Sequence, residues 1–266
     1  MNEQAQFQHF WAIILGGSSG FGLAAIEKLS SHGMNIALLY RETAAKDKEL
    51  KQHLSNLSEK NKTSILPFNI NALDRKNTET FIEEFNEKAN QKNCVRLLLH
   101  SIARGNLKPL VDENDNELSQ EDIELTTYAM ATSLLDWTKI LLKENLFCKD
   151  ARVIALTSEG SHKYWESYAA VGIAKSSLES LATYMAVEFA KFGIKTNLIQ
   201  AGITQTPSFD KIPGSKALAE FAEKRNPLGR ITKPEDVANV IYLLCKDEAN
   251  WINGSLIHVD GGEHCK

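Results

Sequence analysis

A chain of 266 residues, 43% hydrophobic and 24% charged, is long enough for one substantial core and too apolar for a disordered chain. Its formal net charge of −4 offers no general attraction to nucleic acid. Cys94, Cys148, Cys245 and Cys265 show no CxxC or zinc-type spacing, which fits reduced thiols. The start, MNEQAQFQHF, lacks a cationic apolar leader, and no apolar run reaches the roughly 20 residues needed to cross a bilayer. A soluble, cytoplasmic protein is the expectation.

Short apolar runs alternate with longer amphipathic segments along the chain. Strands are expected at 11–15 (WAIIL), 35–40 (NIALLY), 64–68 (SILPF), 95–100 (VRLLLH), 152–157 (RVIALT), 196–200 (TNLIQ) and 256–259 (LIHV). Helices are expected at 20–32, 43–60, 74–90, about 117–144, 166–192 and 234–246. Runs apolar on both faces, separated by helical crossovers, predict a buried parallel sheet with helices on both sides. The expected fold class is therefore α/β: a single doubly wound, Rossmann-like domain over 1–266 with a seven-stranded parallel sheet flanked by helices. Two segments escape the alternation, 104–119 and 207–230. The first is polar and acidic and reads most simply as a solvated connection. In doubly wound folds, however, loops leaving the carboxyl ends of strands border the ligand crevice.

The first strand runs through LGGSSGFG into a helix, placing Gly16, Gly20 and Gly22 in a GxxxGxG spacing around Ser18, Ser19 and Phe21. A dinucleotide site needs a tight turn there, backbone close to the pyrophosphate, and helix N-terminal N–H groups facing the anion. A bare glycine triplet is weak evidence, but its place between a first strand and a helix strengthens it. At the tip of the second strand an acid suits the ribose hydroxyls of NAD, and a cation suits the 2′-phosphate of NADP. This chain has Tyr40-Arg41-Glu42, and Arg41 is able to bind a phosphate through two bonds. NADPH is favoured over NADH; the plainer reading is a surface Arg41 paired with Glu42 or solvent.

Tyr168 and Lys175 are seven residues apart in SYAAVGIAK. On a helix that step returns to within about 20° of the same face, roughly 10 Å along the axis. A nearby ammonium stabilises tyrosinate, so the pair is expected to hold a Tyr168 with a lowered pKa, suited to proton donation. An ordinary amphipathic helix carrying both residues is the competing reading. A second match of similar type, Tyr242 and Lys246, lies in an apolar stripe beyond the other motifs and is expected to be core.

LGGSSGFG, LLLHSIA, LTSEG, SYAAVGIAK, NLIQAGITQT, PLGRITKPEDVANVIYLLC and WINGSLIHVDGG occur in the order of the short-chain dehydrogenase/reductase family, which the whole chain resembles. The resemblance implies a doubly wound sheet, a dinucleotide cofactor and a homotetramer. Most members carry Tyr and Lys four apart; here the residue four before Lys175 is Val171. The seven-residue spacing, and HSI at 100–102, look like the enoyl-acyl-carrier-protein reductase branch. The chemistry rationalises the spacing. A ketoreductase delivers hydride to the carbonyl carbon itself, whereas an enoyl thioester accepts it at C3 and develops charge on an oxygen two carbons away. A Tyr moved by one turn, about 5 Å, reaches that oxygen. An NADPH-using bacterial group within the branch is the nearest match.

Other positions carry over from the same resemblance. Ser158 lies where the majority keeps a catalytic Ser; it bonds substrate or Tyr168, or merely satisfies backbone at a strand end. Tyr164 is a candidate second phenol, facing the pocket if the helix includes it and packing at the mouth if not. No Asn between 117 and 144 stands in for the family's relay Asn. Ser101, Ile102 and Ala103 match positions under the nicotinamide ribose, and Asn69 and Ile70 match the adenine-contacting pair. Gly202, Ile203, Thr204 and Thr206 match the segment holding carboxamide and phosphates; Lys175 holds the ribose. Each also reads as a strand-end turn. Residues 207–230 resemble a substrate lid, with Pro207, Pro213 and Gly214 interrupting helix formation and Phe209, Ile212, Leu218 and Phe221 offering apolar cover. Over 207–233, Lys211, Lys216, Lys224, Arg225, Arg230 and Lys233 outnumber Asp210, Glu220 and Glu223, which suits an anionic acyl carrier protein or coenzyme A, or a solvated face. The implied activity is reduction of an enoyl thioester in fatty-acid synthesis. The alternatives are an NADPH-dependent 3-oxoacyl or other carbonyl reductase, and a cofactor-binding regulator without turnover.

Overall fold

In the computed structural model, which describes residues 6–266, seven strands form one parallel sheet in the order β3-β2-β1-β4-β5-β6-β7. The strands are β1 Trp11–Leu15, β2 Asn35–Tyr40, β3 Ile65–Asn69, β4 Val95–His100, β5 Phe147–Thr157, β6 Ile194–Ala201 and β7 Leu256–Val259. The helices are α1 Gly20–Ser30, α2 Ala44–Asn61, α3 Arg75–Ala89, α4 Gln120–Thr127, α5 Ser133–Lys143, α6 Ala169–Glu188, α7 Ser215–Arg225 and α8 Pro234–Cys245. The doubly wound α/β class expected from the sequence is the class observed.

Alternating residues of β1 show why helices cover both faces. Trp11, Ile13 and Leu15 pack with Phe81, Phe85, Trp137, Leu178 and Met185 from α3, α5 and α6. Ala12 and Ile14 pack on the opposite face with Ile26, Leu29, Leu54, Val237 and Ile241 from α1, α2 and α8. Each fully buried Leu or Ile contributes about 1.5–3 kcal/mol, so burial on both faces dominates the stability of the sheet. Tyr242 belongs to the second cluster and packs edge-on against Phe7, as a core residue should. Cys94, Cys148 and Cys245 are buried free thiols and Cys265 an exposed one. Among the described residues no helix is long and apolar enough to cross a membrane.

Three elements depart from the sequence expectation. The helix expected over 117–144 divides into α4, a π-helical turn Tyr128–Thr132, and α5. The helix expected from 166 starts at Ala169, because Ser167 adopts φ +56° and Tyr168 stands at the N-cap with φ −105° and ψ 5°. A left-handed Ser cannot extend a right-handed helix backwards. The segment after β6 holds α7, which begins directly after Gly214 at φ +72°. Pro207, Pro213 and Gly214 thus delay the helix and do not prevent it.

Candidate active site

In the order β3-β2-β1-β4, all strands run parallel but their order of connection reverses between β1 and β4, which opens a crevice at the carboxyl ends of the strands. A cavity of about 710 Å³ lies there. The residues that follow each of the first six strands reach it: Gly16, Arg41, Ile70, Ser101, Ser158 and Gly202.

The glycine turn is held by contacts that exclude side chains. Gly16 has φ +84°, and a Cβ there would stand 2.6 Å from the Ser101 carbonyl oxygen. Gly22 serves packing: its Cβ would lie 2.4 Å from the Gly16 oxygen, and the residue does not line the cavity. Ser19 at the N-cap of α1 makes no side-chain cap bond, and the first turn holds no acid. The first N–H groups of α1 are therefore free for an anion, and Ser18, Ser19, Gly20 and Phe21 line the space before them. This cradle fits a dinucleotide pyrophosphate. Thr206 closes over it, its methyl 3.2 Å from where a Gly20 Cβ would stand. Ile102, Ala103, Ile203 and Thr204 complete the wall.

At the far end of the crevice, Arg41 is exposed and makes no ion pair among the described residues, while Lys46 lines the same space. Glu42 is already engaged, accepting from Ser18 Oγ at 3.0 Å with Lys46 Nζ 4.0 Å away. Asn69 falls outside the cavity, contrary to the expectation of an adenine contact. Its amide clasps the Glu42 backbone, accepting from the N–H and donating to the carbonyl, each at 3.0 Å. Ile70, just past the end of β3, lines the cavity together with Asn71, Ala72 and Leu73.

Ser158, Tyr168 and Lys175 converge at the near end. Ser158 Oγ stands 3.4 Å from Tyr168 Oη. Lys175, only 6% exposed, donates from Nζ to the Leu156 carbonyl at 2.7 Å. Burial lowers its pKa to about 8, against the opposing charge of Glu179. Tyr168 departs from the expected direction. Burial raises its pKa, with only the Ser158 bond opposing, because the Lys175 ammonium is directed at a backbone carbonyl and not at the phenol. At neutral pH Tyr168 is therefore a protonated hydrogen-bond donor. Tyr164 does not join the group: it is 87% exposed and outside the cavity. Residues 162–168 are not helical, so Tyr164 does not sit one turn below Tyr168; Trp165 lines the cavity instead.

Sequence reasoning missed several residues of the site. A Cβ on Gly160 would lie 2.6 Å from the Tyr168 ring, and one on Gly172 would lie 2.7 Å from the Gly160 oxygen. These two glycines let the 159–161 turn, the ring and α6 nest together. His100 is fully buried with Nε2 2.8 Å from Ser133 Oγ, at the end of the π turn. Burial, and then the charge of Lys175, push its pKa down to about 3, so it is neutral. Phe209, Ile212 and Leu218 line the cavity as apolar cover, whereas Phe221 points away and is exposed. The cation surplus over 207–233 is smaller than it reads, since Arg225 pairs with Glu159 and Glu263, and Arg230 with Asp236.

Comparison with known proteins agrees with this geometry. Residues 16–264 match the family model described as enoyl-(acyl carrier protein) reductase. The chain is 32% identical over 194 residues to the enoyl-[acyl-carrier-protein] reductase [NADH] of Aquifex aeolicus, covering 72% of this chain and 68% of that one. It is 26% identical over 269 residues to a tropinone reductase homologue of Arabidopsis thaliana, covering 98% and 95%. The crystal structure of the Aquifex aeolicus enoyl-[acyl-carrier-protein] reductase (NADH) superposes with a TM-score of 0.83 at 24% identity, covering 98% and 99%. The chain belongs to the short-chain dehydrogenase/reductase family, in its enoyl-acyl-carrier-protein reductase branch, and is an NAD(P)H-dependent oxidoreductase.

Proposed function

We propose that the protein reduces the 2,3 double bond of an enoyl thioester borne on acyl carrier protein, in fatty-acid synthesis, with NADPH as reductant. The observation that carries this reading is the place of Tyr168: its phenol enters the crevice from the N-cap of α6, and buried Val171, one turn nearer Lys175, holds the position of the Tyr in carbonyl reducers. When bound in the crevice, a reduced nicotinamide would supply a hydride to C3 of the substrate. Negative charge then develops on the thioester oxygen, two carbons from the carbon reduced. A neutral phenol, kept protonated by burial, donates to that oxygen and stabilises it as the charge grows, until a proton taken up at C2 from solvent completes the saturated acyl chain. Lys175 binds the nicotinamide ribose, and the 207–230 segment covers the acyl chain.

Support for NADPH comes from the far end of the crevice. Arg41 and Lys46 face it, while Glu42 already accepts from Ser18 and has Lys46 beside it, which partly offsets its charge. The Aquifex aeolicus relative is named as an NADH enzyme, so on this reading the two would differ in reductant. One observation favours a second reading, a 3-oxoacyl or other carbonyl reductase: Ser158 stands within reach of Tyr168, as a substrate-carbonyl donor would.

NADPH oxidation measured side by side with crotonyl and acetoacetyl thioesters separates the readings. Turnover of crotonyl thioester alone, lost in Tyr168→Phe with NADPH binding retained, is expected. Turnover of acetoacetyl thioester alone replaces the first reading with the second. Binding of NADPH without turnover of either refutes both and leaves a regulator.

A further inference from the structure

Arg225, the last residue of α7, is where the segment covering the cleft meets both of its walls. Its Nη2 donates to Glu159 Oε2 and to Glu263 Oε1, each at 2.7 Å. The three side chains are largely withdrawn from water, at 11% exposure for Arg225, 15% for Glu159 and 3% for Glu263. All three border the cavity.

Each carboxylate carries a second tie that leads to the reaction centre. Glu159 accepts from Lys163 at 2.5 Å and directly follows Ser158 in the chain. Glu263 Oε2 accepts from the Ile203 N–H at 3.3 Å, in the segment that leaves β6. Two acids balance two cations here, so Arg225 has no charge left to offer an anionic substrate. Next to it, Asn226 Nδ2 donates to the Asp260 carbonyl at 2.7 Å and pins the same end of α7. At the opposite end of the covering segment the side-chain hydrogen bonds among the described residues are local, Phe209 N–H to Thr206 Oγ1 and Gln205 to Asp210, beside the buried Phe209 ring. Gly214, at φ +72° with open space around it, separates those ties from α7.

We propose that Arg225 is a positioning residue: by bridging Glu159 and Glu263 it seats α7 over the cleft and fixes the Ser158 wall relative to the Ile203 wall. The bridge acts through those two carboxylates and not through contact with substrate. This inference rests on the reading of the cleft as an acyl-thioester reductase site, and one of its readouts is independent of that reading. A guanidinium joined to two partly buried carboxylates makes strong, oriented bonds, and removing it leaves buried Glu263 without its cation. Replacing Glu159 alone is milder, because the Arg225–Glu263 pair survives.

The test uses the full chain and three variants, Arg225→Gln, Arg225→Lys and Glu159→Gln. Arg225→Gln should raise KM for crotonyl thioester about tenfold while kcat stays within about threefold, since the cover and not the reacting groups is released. Arg225→Lys should recover part of that loss, because it keeps the charge but not the planar Nη2 that directs one N–H to each carboxylate. Glu159→Gln should shift KM in the same direction and reads the Ser158 arm even if Arg225→Gln fails to fold. Chymotrypsin cleavage within 207–225, measured with NADP+ bound, should be faster in Arg225→Gln and Glu159→Gln than in the wild type. Wild-type KM and cleavage rate in Glu159→Gln would overturn the proposal, as would a fall in kcat at unchanged KM. If the wild type turns over neither thioester, the functional reading fails by itself, and the cleavage rates alone decide the role of Arg225.

Discussion

Lys175 couples the chemistry of the cleft to the stability of the fold, and the coupling has a sign. Burial lowers its pKa from 10.5 to about 8. Between those values the unfolded chain holds a proton that the folded chain has released, so stability rises with pH across the window. Below about 8 both states are protonated, and the folded state carries the whole desolvation cost, about 3 kcal/mol at 1.36 kcal/mol for each pH unit. At about pH 9.5 roughly 2 kcal/mol of that cost is relieved. Lys175→Met has no such ionisation. It also leaves the Leu156 carbonyl without its donor, but that loss is the same at both pH values. Urea unfolding of the nucleotide-free proteins, at about pH 7 and about pH 9.5, isolates the effect, since other titrating groups are common to both chains and cancel. The wild type should gain about 2 kcal/mol on the variant between the two conditions. A gain under about 0.5 kcal/mol would mean that Lys175 is hydrated in solution, and the argument from burial would fall. Activity should disappear in Lys175→Met under all conditions, separating what the residue does for folding from what it does in the cleft.

Arg41→Ala should weaken NADPH binding about tenfold, the worth of one charge-assisted bond, and leave NADH unaffected; nucleotide fluorescence titration measures both, and equal losses would remove Arg41 from 2′-phosphate recognition. Gly22→Ala should cost about 1–3 kcal/mol of stability, because its Cβ would stand 2.4 Å from the Gly16 oxygen, a backbone atom with little room to yield. In a chain of this size that is about 2–4 °C in Tm per kcal/mol, and an unchanged melting curve would show that α1 shifts freely.

Much of this molecule is written locally. Strand runs such as WAIIL and IALLY, without the polar alternation of a half-exposed strand, declare a sheet buried on both faces before any contact is known. The glycine turn reads from sequence too, because only residues without a Cβ fit where Gly16 meets the Ser101 carbonyl and Gly22 meets Gly16. Spacing also singles out Tyr168 and Lys175. What spacing does not carry is where α6 begins. The left-handed Ser167 places Tyr168 at the N-cap, and with the helix start goes the fate of Tyr164, left in solvent. Nor does spacing reveal which group neighbours a charge. Lys175 reads as the partner of Tyr168, but its ammonium is directed at the Leu156 carbonyl, and burial reverses the expected shift of the phenol. Arg225 reads as one cation in a basic run, yet it is neutralised by Glu159 and Glu263, 66 residues before it and 38 after it. Local sequence determined the strands, most of the helices and the glycine turn, because backbone sterics and side-chain periodicity act between near neighbours. Tertiary structure alone decided the charges, because desolvation and ion pairing depend on groups that only folding brings together.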